Sequence, residues 1–130
     1  VPISQSQIHQ VVEVVGHLEN IVAEYGADYV YQRRQLNGPD PFAPVCVYVW
    51  NGEPDCIAGK VLARMGVSIE KLASYEGSSV SVVAPVVSNL GDAATNVLRV
   101  AQVVQDKGGT WGEALAEAKT VARVWGADIA

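Results

Sequence analysis

Apolar side chains recur at Ile8, Val11, Val15, Leu18, Val22 and Tyr25, separated alternately by three and four residues. That spacing places all six on one narrow seam of a helix. Val12, Val14 and Ile21 widen the seam. Ser4 followed by Gln7 reads as a capping box, Ile3 and Ile8 hold the staple positions beside it, and Gly26 is placed to end the helix. Valine is a modest helix former, so this helix needs packing support. The support comes either from the rest of the domain or from a second copy docked through Val11, Val15, Leu18 and Val22.

The pattern then changes. Asp28–Arg33 is rich in aromatic and branched residues and predicts a strand. Residues 37–44 carry Pro39, Pro41 and Pro44 and predict a loop. Val45–Trp50 predicts a second strand, with Val45, Val47 and Val49 on one face and Cys46, Tyr48 and Trp50 on the other. Pairing with residues 28–33 is the economical arrangement. Asn51-Gly52 is a strong turn signal, and Pro54 extends the break. If the helices cover the opposite face of this sheet, Tyr29, Tyr31, Tyr48 and Trp50 form an exposed aromatic surface for a partner. If they cover this face, the four rings are core.

Helical periods return further on. Asp55 can cap a helix over Cys56–Met65 that Gly66 ends. Ser68 can cap a short helix through Tyr75, with Val67 and Leu72 at the staple positions. Val80–Val87 is apolar, β-branched and interrupted by Pro85, compatible with an edge strand or a loose helical segment. Ser88 or Asn89 can cap a long helix to about Lys107, burying Leu90, Ala94, Val97, Ala101 and Val104. Gly108-Gly109 stops it. Thr110 and Glu113 form a capping box for a last helix, with Trp111, Leu115, Ala118, Ala122 and Trp125 on one face. The short connection implies an antiparallel helix pair. The expected fold is α+β: a mainly helical single domain (1–130) with a small antiparallel sheet or hairpin, a long N-terminal helix and a C-terminal antiparallel helix pair.

Composition narrows the function classes. The chain has 130 residues, of which 49% are hydrophobic and 18% charged, apolar enough for a core. No apolar run approaches the ~20 residues that span a bilayer, and Val1-Pro2-Ile3-Ser4 shows no signal-peptide pattern. A cytoplasmic location is the expectation. The net charge of −5 opposes phosphate backbones, and the nine basic residues are dispersed. Two cysteines, Cys46 and Cys56, are too few for a disulfide framework; they are either small buried side chains or a single bridge.

Two segments resemble known sequences: CVYVWNGEPDCIAGKVLARMGV (46–67) and AQVVQDKGGTWGEALAEA (101–118). Both resemble small uncharacterised proteins of actinobacteria and their phages, over about half the chain. The resemblance implies a bacterial or phage accessory protein made in the host cytoplasm and carries no activity or catalytic residue with it.

Candidate chemistry is sparse. Residues 57–76 match the apolar skeleton of a helix-turn-helix, with Lys60, Arg64, Ser68, Lys71 and Ser74 as its DNA-facing set. Against this, Leu62 is bulky where helix crossing favours a small residue, and the second helix offers no Arg, Asn or Gln to read bases. His9 and His17 are eight apart, not the i, i+4 spacing that aims two imidazoles at one metal. Gly59-Lys60 lacks the earlier glycine and the following Ser or Thr of a phosphate loop; Gly59 instead suits close packing against another element. Cys56 at a helix N-terminus is a candidate nucleophile only with a histidine brought to it by the fold. The preferred expectation is a non-enzymatic accessory or regulatory protein, without metal or cofactor, that binds a host or phage protein or itself. A helix-turn-helix regulator and a Cys56-dependent enzyme are the alternatives.

Overall fold

A computed structural model describes residues 3–32 and 47–130. The fold is mostly helical, with one two-stranded antiparallel sheet among the described residues. Helix α1 spans Gln5–Tyr25, β1 Val49–Trp50, β2 Glu53–Pro54, α2 Ile57–Arg64, α3 Ile69–Ser74, α4 Val80–Ser88, α5 Asp92–Asp106 and α6 Trp111–Val124.

Helix α1 starts where its cap predicts: the Ser4 hydroxyl accepts from the Gln7 amide, and Gly26 closes the far end. Its seam faces inward against α2, α5 and α6. Val11, Val15, Leu18 and Val22 are all buried in the chain's own core, together with Val14 and Ile21. The four residues considered for self-association are therefore packed within one chain.

Helices α5 and α6 make the most extensive contact in the molecule. The Thr110 hydroxyl accepts from the Glu113 amide at 3.0 Å, and the Glu113 carboxylate accepts from the Thr110 amide at 3.0 Å, completing the expected capping box. The first two amides of α6 are satisfied elsewhere. Trp111 N–H donates to the Tyr29 carbonyl at 2.8 Å and Gly112 N–H to the Ala27 carbonyl at 2.9 Å. A Cβ on Gly112 would lie 2.7 Å from that Ala27 oxygen, so only glycine permits this docking.

Several expectations are corrected. The segment 28–32 does not pair with 47–50. Val30 instead bridges Thr110, because the start of α6 takes the carbonyls of this loop. The sheet is the hairpin β1–β2, with Val49 opposite Pro54 and Trp50 opposite Glu53. Asn51 and Gly52 both have positive φ, as a two-residue type I′ turn requires. Pro54 thus belongs to a strand and does not extend the break. Arg33, the loop 37–44, Val45 and Cys46 lie outside the described residues, and with them the question of a Cys46–Cys56 bridge.

Further along, Cys56, not Asp55, caps α2; its sulfur accepts from the Gly59 amide at 3.4 Å. Gly66 ends α2 with paired bonds, Gly66 N–H to Ala63 O at 3.0 Å and Val67 N–H to Leu62 O at 3.1 Å. Residues 80–88 are helix α4, which contains Pro85. Val80, Val83 and Ala84 on one side of α4 are buried. Asn89 is the left-handed C-cap of α4 rather than an N-cap, and Gly91 begins α5. Gln10 of α1 secures this corner: its amide donates to Asn89 O at 3.2 Å, and its oxygen accepts from Gly91 N–H at 2.8 Å.

Candidate functional site

The site is a pocket of about 260 Å³ where the end of α1, the following loop, the hairpin and α2 meet. Tyr25, Tyr29, Trp50, Asn51, Glu53, Pro54, Asp55 and Lys60 line it. Local devices set the key side chains in place. Tyr25 is the last residue of α1, and the Asn51-Gly52 turn sets Trp50 and Glu53 across from each other.

Its floor is an aromatic cluster. Tyr25 and Tyr29 lie 5.3 Å apart between ring centroids, and each contacts buried Trp111 edge-on, at 5.1 and 4.5 Å. The Trp111 indole N–H donates to Gln105 Oε1 at 3.2 Å. Gln105 Oε1 also accepts from Ile57 N–H at 2.8 Å, and Gln102 Oε1 accepts from Ala58 N–H at 3.0 Å. Two glutamines of α5 thus satisfy the buried amides that open α2, which have no partner within the helix. Their own amide groups donate to Asp106. The floor of the pocket and the start of the helix that carries Lys60 share one buried polar network.

Polar groups stand on the walls. The Lys60 ammonium donates to the Pro54 carbonyl at 2.8 Å and lies 4.8 Å from the centroid of the Tyr25 ring. Asp55 accepts a hydrogen bond from the Tyr31 hydroxyl. Gly59 lets the α2 backbone approach Tyr48: a Cβ there would lie 2.6 Å from the Tyr48 oxygen. That contact bears out the close-packing reason for this glycine.

The four aromatics considered as one binding face do not form one. Tyr29 and Trp50 line the pocket, partly exposed. Tyr31 and Tyr48 are buried, and the Tyr48 hydroxyl donates to Ser78 O at 2.6 Å. Tyr31, on the segment after α1, and Tyr48, just before the hairpin, pack into the core while Trp50 stays partly exposed, a difference the alternation along residues 45–50 does not show.

The helix-turn-helix set is scattered in role. Lys60 belongs to the pocket, and Arg64 pairs with Glu24 of α1. The Ser68 hydroxyl caps α3, and the Ser74 hydroxyl donates to Lys71 O. Lys71 is exposed. Glu76 grips the start of the hairpin, accepting from the Tyr48 and Val49 amides at 2.7 and 3.1 Å. His9 is exposed, and His17 lies 3.9 Å from Glu13. Among the described residues no group of three metal-ligating side chains comes together, and no helix is long and apolar enough to cross a membrane.

Sequence reasoning missed Tyr25, Glu53, Asp55 and Lys60 as pocket residues. Tyr25 read as the last position of an apolar seam and Asp55 as a cap, and nothing local in the sequence joins them to Trp50. No family model, curated protein or solved structure matches the chain.

Proposed function

We propose that this chain is a non-enzymatic accessory or regulatory module that binds another protein through the Tyr25–Tyr29–Trp50 pocket. The setting we propose is the bacterial cytoplasm, on the resemblance of residues 46–67 and 101–118 to small actinobacterial and phage proteins. The pocket is the observation that carries the proposal. Aromatic rings with one face on a stiff floor and one edge toward water are the usual anchors of protein interfaces. At about 260 Å³ the pocket has room for a single anchoring side chain of a larger partner.

Site-specific photocrosslinking tests it. A photoreactive residue in place of Asn51, exposed at the pocket rim, is compared with one in place of Glu117, exposed on α6. Discrete adducts from position 51 that are absent from position 117 are expected in actinobacterial extract. The same adducts from both positions, or none from position 51, contradict the proposal.

A further inference from the structure

We infer that the Asn51-Gly52 turn at the pocket rim is a modification site, where Asn51 deamidates spontaneously through a cyclic imide to isoaspartate. The inference stands apart from whatever the pocket binds. The reaction needs an asparagine whose side-chain carbonyl the next backbone nitrogen can reach. Glycine is the successor that obstructs this least, because it has no Cβ. Asn51 and Gly52 are both exposed, and a Cβ on Gly52 would meet nothing within 4 Å, so water and base reach the tip. Among the described residues no hydrogen bond holds the Asn51 side chain or occupies the Gly52 amide.

The attack closes a ring through the Asn51 Cα–C bond, so that bond must turn out of its left-handed setting, φ 53° at Asn51 and 77° at Gly52. Little opposes the turn. Each strand is two residues long, and the Trp50–Glu53 pair alone closes the loop. Pro54, next on β2, has no N–H to give. The next cross-strand bond is Asp55 N–H to Tyr48 O at 2.9 Å. So short a hairpin opens at its tip while the core stays folded. Asn89 is the contrast. It also has positive φ, 56°, but its successor Leu90 is buried and the Gln10 amide holds its carbonyl at 3.2 Å.

The chemistry needs only base and water. Base takes the Gly52 amide proton, the nitrogen bonds to Asn51 Cγ, and the side-chain nitrogen takes a proton and leaves as ammonia. Water then opens the imide. Cleavage at Cγ gives aspartate; cleavage of the original peptide C–N bond gives isoaspartate, whose main chain runs through Cγ. Either product sets a carboxylate where a neutral amide lined the pocket. Isoaspartate also lengthens the main chain by a carbon, which a two-residue I′ loop does not accommodate, so the Trp50–Glu53 register is lost.

The test is incubation of the full chain at mildly alkaline pH, folded and in urea, followed by peptide mapping. Mapping separates Asn51 from Asn37-Gly38, an Asn-Gly pair outside the described residues. The peptide carrying residue 51 should exchange NH for O in mass and accept a methyl label from an isoaspartyl-specific carboxyl methyltransferase. Its rate in the folded chain should lie within about a hundredfold of the rate in urea, the cost of opening the tip alone. Asn89 should show no conversion in the folded chain over the same period. A slower rate at Asn51, no methyl label, or equal conversion at Asn89 overturns the assignment. In the ¹⁵N spectrum the aged chain should gain Gly52 and Glu53 amide signals distinct from those of Asn51→Asp, because aspartate keeps the I′ turn. Aged signals that coincide with those of Asn51→Asp overturn the loss of register.

Discussion

At Gly59 a single methyl group would collide with the chain. Its Cβ would stand 2.6 Å from the Tyr48 carbonyl oxygen and 3.1 Å from the Tyr48 Cα, both backbone atoms that cannot swing aside. Gly16, inside α1, is the opposite case, with nothing within 4 Å of the place a methyl would take. The two alanine variants should therefore change stability in opposite directions. Gly59→Ala should cost about 1–3 kcal/mol through overpacking. Gly16→Ala should gain about 0.5–1 kcal/mol through helix propensity. Urea unfolding of both checks the pair; a neutral Gly59→Ala would mean that α2 and Tyr48 separate readily. Glu113 gives a second test at this scale. Hydrogen bonds from the Thr110 backbone and hydroxyl hold its carboxyl below the ordinary value. A depressed folded pKa contributes stability above the unfolded value and loses it as pH falls through the folded one. Glu113→Gln keeps an acceptor for the Thr110 amide but does not titrate. The gap in Tm between the wild type and this variant should be widest at neutral pH and close on acidification. A gap constant with pH would remove the charge from the explanation. Both residues were legible in the sequence: Glu113 through its spacing from Thr110, and Gly59 as a close-packing glycine. The partner of Gly59 was not, because Tyr48 belongs to another element.

Helix α2 depends on two side chains from α5. Ile57 and Ala58 open α2, and their amides point into the protein, where water cannot satisfy them. Gln105 and Gln102, only 3% and 4% exposed, supply the acceptors. Gln105→Leu leaves both the Ile57 amide and the Trp111 indole N–H without an acceptor, at about 1–3 kcal/mol for each orphaned donor. Gln102→Leu orphans the Ala58 amide alone and should cost less. Hydrogen exchange should report the loss at Ile57 and at the Trp111 indole, while the Thr110–Glu113 end of α6 keeps its protection. Equal costs for the two variants would contradict this division of roles. Nothing in residues 101–106 read alone reveals it, since glutamines on a helix usually face water and these serve residues 44 and 48 positions away. Caps made within four residues were readable, at Ser4, Ser68 and Thr110. Helix α4 was not. Its residues favour strands, and Pro85 argues against both kinds of element. What selects a helix is the burial of Val80, Val83 and Ala84 in a core that the local sequence cannot display. Much of the segments 46–67 and 101–118 also proves to be architecture: the I′ turn, the Cys56 cap, the Gly59 and Gly112 contacts, the glutamine pair and the capping box.

Across the whole molecule, the basic side chains that a DNA-binding reading of α2 and α3 requires do not share a free face. Lys60 is tied to the Pro54 carbonyl and the Tyr25 ring, and Arg64 to Glu24. Helix α3 is six residues long, and its Ser68 and Ser74 hydroxyls are bonded within it. That leaves Lys71 exposed beside Glu70, on a chain with five more negative than positive charges. Non-specific duplex binding comes from neutralised phosphates, and each one steepens the salt dependence by about 0.9 in log–log slope. A face offering one exposed lysine predicts almost no slope and almost no affinity. Fluorescence anisotropy with a random duplex at low salt should therefore stay flat at micromolar protein. The same instrument with an arginine-rich peptide should respond, because the net charge of −5 that rejects a polyanion attracts a polycation. Added salt should weaken the peptide signal and leave the duplex trace unchanged. Duplex binding that weakens with salt would return α2 and α3 to the role of a nucleic-acid reader, and would require Lys60 and Arg64 to leave the partners that now hold them.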